Sequence, residues 1–274
     1  MIDAHFHAWS LGRGDYAWLT PALAPIYRDV GVSDWLAQAQ PQGIQGGVLV
    51  QAAPTAAETD YLLCLAREHD SVLGVVGWVD MLATDAVAQV ERLAREPLLK
   101  GLRPMLQDLP DPDWILQPAL TPVLDAMARC GLVFDALIFP MHLSRIATLM
   151  ERHPDLTVVI DHGAKPSRDN ATEWTQGISA LARHSDPARV VCKLSGLWTQ
   201  VEAGNQVQVL APWVSHLMDC WGPSRLLWGS DWPVLELAGT YAQWSQWSHA
   251  VLQSCTPEQK QAILGDNARR IYKL

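Results

Sequence analysis

Short apolar runs rich in β-branched residues recur eight times along the chain: IDAHFHAW over 2–9, GGVLVQAAP over 46–54, VLGVVGWVD over 72–80, LKGLRPML over 99–106, GLVFDALIF over 131–139, TVVIDHGAKP over 157–166, RVVCKLSGL over 189–197 and RLLWGSDWPV over 225–234. Each run is nearly continuous rather than alternating. A strand wetted on one face alternates and a strand covered on both faces does not, so these runs read as parallel strands buried between layers. Between them the apolar spacing changes to that of a helix. Thr55 to His69 carries Leu62, Leu65 and Ala66, Thr84 to Arg95 carries Val87, Val90 and Leu93, and His142 to His153 carries Leu143, Ile146, Leu149 and Met150. A helix over Pro118–Cys130 stops at Gly131, which can turn left-handed without cost from a Cβ. Further helices fit 170–184, 207–221 and 239–253. The tail opens on Thr256, Pro257 and Gln259, a capping box with proline at the first helical position.

Eight strands alternating with helices predict an α/β fold, a (β/α)8 TIM barrel forming a single domain over 1–274. A doubly wound open sheet competes with it, but that fold wants a glycine-rich phosphate turn after the first strand, and none follows here. The one long connection, 10–32, contains GDYAWLTPALAPIYRD and is expected to lie over the barrel mouth as a lid-like loop.

Composition narrows the partners. The 274 residues carry a formal net charge of −9, with a pI of about 5.4. No basic stripe is present to neutralise phosphates, which argues against nucleic acid. No apolar run approaches a bilayer span, and no basic stretch followed by an apolar one marks a signal peptide, so no membrane partner is expected. The five cysteines are scattered without a CxxC pair and read as free thiols of a reducing compartment. A soluble cytoplasmic protein is the expectation. A homo-oligomer is compatible with the sequence, although the exposed helices show no heptad that forces one. There are thirteen tryptophans against three phenylalanines. Most are expected in the core, but Trp9, Trp18, Trp78, Trp198 and Trp232 would suit stacking on the apolar face of a sugar ring.

Active sites of such barrels form at the C-terminal ends of the strands. There the sequence places His5 and His7, Gln51, Trp78 and Asp80, Arg103, Asp135, Asp161, His162 and Lys165, Lys193 and Ser195, and Ser230 and Asp231. His5 and His7 are two apart, so in a strand they point to the same face. Three imidazoles and a carboxylate (His5, His7, His162, Asp231) can hold a divalent metal such as zinc. Asp231 can take a proton from an attacking water, and His162 can ligate or donate to an oxyanion. Arg103 can pin a substrate oxygen with its forked guanidinium. Gln51 either contacts substrate or bonds the rim. Lys193 and Asp135 suit a buried structural pair. His69, His153, His184, His216 and His249 fall on helices and read as solvated or capping, while His142 stays open.

These residues resemble the amidohydrolase superfamily of the amidohydrolase 2 type, and within it the sugar-lactone hydrolase branch. MIDAHFHAW, YAWLTPALAPIYRD, VLVQAAPTAAET, GVVGWVD, KGLRPMLQDLPDPDWIL, GLVFDALI, VIDHGAKP, CKLSGLWT, LLWGSDWPV and GDNARRIYKL carry the likeness in order along most of the chain. The resemblance implies hydrolysis of an aldonolactone to its aldonic acid, with L-fuconolactone-like substrates favoured. It implies His5, His7 and His162 at the metal or the carbonyl, Asp231 as the base, and Arg103, Gln51 and Trp18 around the substrate. The better-known superfamily members carry a lysine at strand four and a histidine at strand five. Arg103 and Asp135 stand there instead, which argues against two metals and for at most one, zinc before manganese, weakly held or dispensable. A metal-dependent decarboxylase of the same superfamily, or a non-catalytic sugar-acid binding barrel, are the alternative readings.

Overall fold

The computed structural model describes residues 1–201 and 206–274. Eight strands form one sheet: β1 Ile2–Phe6, β2 Gly46–Val50, β3 Val72–Gly77, β4 Leu99–Leu102, β5 Val133–Ala136, β6 Thr157–Ile160, β7 Val190–Leu194 and β8 Leu226–Trp228. They pair in chain order, every pair parallel. The circle closes through a parallel bridge between Phe6 and Trp232. At that seam the His7 amide donates to Trp232 O and the Asp231 amide to His5 O, each at 2.8 Å. This is the expected (β/α)8 barrel.

The barrel interior is a small cluster of Ile2, Ala4, Val48, Val76, Val159, Val191 and Leu227, closed below by Ile271 and Tyr272. A larger apolar layer lies between the strands and the helices. Every strand therefore buries both faces, which is why the runs do not alternate. The helices are α1 Val32–Ala39, α2 Ala56–Glu68, α3 Ala86–Leu93, α4 Thr121–Cys130, α5 Leu143–Arg152, α6 Ala171–His184, α7 Gln206–Trp221, α8 Tyr241–Val251, and the tail helices α9 Pro257–Gln261 and α10 Asn267–Tyr272 joined by a π-turn over 262–266. Helix α1 has no counterpart in the sequence reading. It is short, and Gly31, capped by Asp34 at 2.8 Å, starts it in place of a Ser or Thr signal. Among the described residues no helix is long and apolar enough to cross a membrane.

The seam between β1 and β8 is held by a buried carboxylate. Asp3 accepts from Ser230 N (2.8 Å), Ser230 Oγ (2.6 Å), Tyr241 OH (2.8 Å), Trp35 Nε1 (3.0 Å) and His5 N (3.2 Å). Burial still pushes its pKa above the ordinary carboxylate value despite those donors. The bonds tie α1 and α8 to the seam and fix the strand that carries His5 and His7 against the loop that carries Asp231.

Candidate active site

All eight predicted runs extend past the observed strand ends, and the excess carries the polar residues. His5 lies within β1, whereas His7, Gln51, Arg103, His162, Ser195 and Asp231 sit just beyond the ends of their strands. Two of these sites are strained. Asp231 has φ 59°, and after β6 the residues His162, Gly163, Ala164 and Lys165 all take left-handed φ values of 51–60°. A non-glycine residue in that region costs about 1–2 kcal/mol, so the fold opposes this turn and something at the site must require it. Gly196 makes room for it. A Cβ there would come within 2.5 Å of His162 Nδ1 and 2.9 Å of Asp231 Oδ2.

One ring proton follows from the neighbours. His7 Nδ1 lies 2.7 Å from Val50 O, which can only accept, so Nδ1 carries the proton and Nε2 a lone pair. His5 lies between donors on both sides, Arg103 Nη1 3.3 Å from its Nε2 and Lys193 Nζ 3.1 Å from its Nδ1, with Asp161 Oδ1 3.4 Å from Nδ1. His162 Nδ1 is paired with Ser195 Oγ at 2.9 Å, which leaves its Nε2 facing the same point as those of His5 and His7. These nitrogens converge on Asp231 Oδ1, at 3.3 Å from His7, 3.7 Å from His5 and 3.8 Å from His162, and His5 and His7 Nε2 are 3.2 Å apart. Three imidazole nitrogens and a carboxylate oxygen thus face one another, a ligand set that a cation complements. Ligand atoms of His5, His162 and Asp231 all lie within 4.8 Å of one another, a cluster that can hold a metal ion.

Burial pulls the His162 imidazole down to about 4, with the Asp231 and Asp161 charges opposing. Burial, and then the charge of Lys193, also hold His5 well below its ordinary value. Burial alone would raise Asp231, but the facing imidazoles, His162 first, outweigh it and set the carboxyl below the usual range. Near neutral pH His5 and His162 are therefore uncharged and the Asp231 carboxylate ionised.

Beneath His5 lies a second buried cluster. Lys193 Nζ pairs with Asp135 Oδ2 at 2.6 Å and Asp161 Oδ1 at 2.9 Å, and passes 3.1 Å from His5 Nδ1. Arg103 Nη1 reaches Asp161 Oδ2 at 3.3 Å, and Tyr272 OH donates to Asp135 at 2.8 Å. The expected Lys193–Asp135 pair is present, and it bears on the site through Asp161, a residue the sequence placed at the right strand end without a role.

A cavity of about 290 Å³ opens above these groups, lined among others by His7, Arg103, His162, Lys165, Asp231 and Trp18. The connection 10–32 adds Trp18 and Leu23 to its wall. Trp18 Nε1 donates to Ala52 O at 2.7 Å, which leaves its apolar ring to the cavity. Of the five tryptophans expected at the rim only Trp18 lines this cavity, and Trp9, Trp198 and Trp232 are core residues. Gln51 is fully buried below the floor, donating to Arg103 O at 2.7 Å while Arg103 Nη2 donates to Gln51 O. Trp78 and Asp80 do not line the cavity. His142 is buried at the start of α5, its Nδ1 accepting from Phe139 N at 3.2 Å, and it lies outside the site. His153 is buried and paired with Asp125 at 2.7 Å rather than solvated.

The amidohydrolase family model matches residues 2–274. An L-fucono-1,5-lactonase of Burkholderia ambifaria is 42% identical over 279 residues, covering 100% of this chain and 95% of the relative. An L-fucono-1,5-lactonase of Burkholderia multivorans is 29% identical, covering 100% and 96%. The crystal structure of a Burkholderia multivorans amidohydrolase with bound zinc superposes with a TM-score of 0.92 at 29% identity, covering 100% of this chain and 99% of that one. The chain belongs to the amidohydrolase family.

Proposed function

We propose that this protein hydrolyses a sugar lactone, an aldonolactone of the L-fuconolactone kind, to the aldonic acid. The observation that carries the reading is the ionised Asp231 carboxylate beside three imidazole Nε2 atoms on the floor of a sugar-sized cavity. The likeness to the L-fucono-1,5-lactonases supports the substrate class.

Asp231 takes a proton from water as its oxygen attacks the lactone carbonyl carbon. The carbonyl π pair moves onto oxygen. When that oxyanion collapses, the bond to the ring oxygen breaks, and the proton held on Asp231 passes to the departing alkoxide. The new carboxylic acid ionises, so each turnover releases one proton. His5, His162 and Asp231, with His7 at the edge, are the residues that would hold a divalent ion, zinc before manganese, and when bound it would polarise the lactone carbonyl. Arg103 pins a substrate oxygen through the guanidinium N–H groups that its protein partners leave free. Trp18 covers the apolar face of the ring, and the connection 10–32 acts as a fixed cover that keeps bulk water from the carbonyl.

A panel of five- and six-membered aldonolactones, followed by proton release with zinc or manganese supplied, tests this reading. Fast turnover of one stereochemical subset is expected. Uniform inactivity across the panel overturns it.

A further inference from the structure

The cavity wall also holds, on the turn that carries His162, a cation that the reaction above does not use. Lys165 lines the cavity with its ammonium group donating to Gln107 Oε1. Among the described residues Gln107 is its one hydrogen-bond partner. A lysine ammonium has three N–H donors, so two are left over in a mostly buried place. Its other neighbour is the face of Phe139, 5.6 Å from the ring centre. Burial lowers the Lys165 pKa, and the Asp231 carboxylate acts against that. Gln107 also lines the cavity, and its backbone is pinned by donation to Leu137 O at 3.0 Å.

The backbone shows that this placement is built. His162 and Lys165 are the first and last residues of the left-handed turn after β6. Residues three apart on a helical turn face the same side, so one strained turn aims both side chains into one cavity. His162 accounts for its first residue. A non-glycine residue held in left-handed conformation at 165, its amide closing the turn onto His162 O, fits an ammonium that is needed where it points.

We propose that Lys165, positioned by Gln107, is a specificity-determining residue that donates to one ring hydroxyl of the lactone. An aldonolactone is neutral and carries several hydroxyls, each able to accept. Its carbonyl has to sit at Asp231, which leaves the hydroxylated part of the ring to reach the Lys165 wall. Gln107 then presents the same pair to a neighbouring hydroxyl, with Oε1 accepting. This assignment rests on the lactonase reading and adds which groups tell one sugar lactone from another.

The test compares wild type with Lys165→Met on the best lactone and on its single-deoxy analogues, each missing one hydroxyl. For Lys165→Met, kcat/KM on the parent is expected to fall about 10- to 100-fold, the usual cost of a charge-assisted hydrogen bond. The same fall is expected on every analogue but one. On the analogue that lacks the contacted hydroxyl, wild type and variant become equal, which also shows that the variant is folded. Gln107→Leu, which leaves the ammonium in place but unanchored, is expected to narrow the same preference by a smaller factor. An equal loss on every analogue overturns the proposal and assigns Lys165 to the reacting carbonyl or to the fold. No loss on the parent overturns it as well. A wild type inactive on every lactone instead overturns the lactonase reading, so the two failures are told apart.

Discussion

The charged cluster beneath His5 and the ligand cluster above it are equally buried and oppositely balanced. Below, Lys193 and Arg103 stand against Asp135 and Asp161, cation to anion, with Tyr272 satisfying a remaining oxygen. Above, three imidazole nitrogens and the Asp231 oxygen converge on one point, with no protein cation at its centre. His5 is the joint, its Nδ1 side turned to the first cluster and its Nε2 to the second. Burial therefore does not mark the site. The mark is a buried polar set whose missing partner is not protein. The lower cluster fixes the orientation of the His5 ring through Lys193 and Asp161, and with it the Nε2 turned to the upper cluster.

The largest expected effect breaks the upper cluster. Asp231→Asn keeps the volume, and asparagine tolerates the left-handed φ of 59° at this position. It removes the proton acceptor, so kcat is expected to fall by about 10²–10⁴-fold while the unfolding midpoint stays close to wild type. Steady-state kinetics beside a denaturation curve checks both. Wild-type kcat would remove Asp231 from the role of base.

Breaking the lower cluster has the opposite signature. Lys193→Met leaves two buried carboxylates without their shared cation, a loss of about 3–5 kcal/mol in stability. Urea unfolding reads it directly. A variant as stable as wild type would mean that Asp135 and Asp161 are neutralised by other means.

The two clusters also differ in how far the sequence disclosed them. His5 and His7 were legible because a spacing of two puts them on one strand face, and the terminal apolar run fixed which strand. Asp231 and His162 followed from lying at the ends of such runs. Asp161 was visible beside His162 but carried no role, because its partners Lys193 and Arg103 come from other strands and only barrel closure joins them. Lys165 was also named at that strand end without a role, for a different reason. Nothing in HGAK tells a reader that four residues will turn left-handed, and without that turn the lysine would not share a wall with His162. The strand ends were overrun because the loops that carry the site are apolar and buried like the strands. For tryptophan, burial in the core accounts for most of the excess that a sugar-stacking rim was expected to use.

Metal binding sharpens the contrast. Zinc at about 100 times its Kd is expected to add about 2.7 kcal/mol to the unfolding free energy of wild type, and a chelator to remove it. The response should shrink in His162→Asn, which loses an upper ligand. A zinc response unchanged in that variant would place the ion outside the upper cluster.

A slope rather than a loss of function separates the clusters by pH in metal-free protein. The His162 imidazole titrates at about 4 in the fold and at about 6.5 in an unfolded chain. Between those values the unfolded state holds a proton that the folded state does not. Stability therefore falls as pH drops through this window, by up to about 1.4 kcal/mol per unit for this group. His5, also depressed by burial, adds in the same direction. Asp161 behaves differently. Its carboxyl lies well below the ordinary value, burial being outweighed by Lys193 and then His5. It stays ionised in both states across the same window, and its contribution is lost only below about 4. Subtracting the pH-stability curve of His162→Asn from that of wild type should leave a slope confined to about 4–6.5. If the difference is flat there and appears only at lower pH, the lower cluster dominates the acid response, and His162 is not held neutral by the fold.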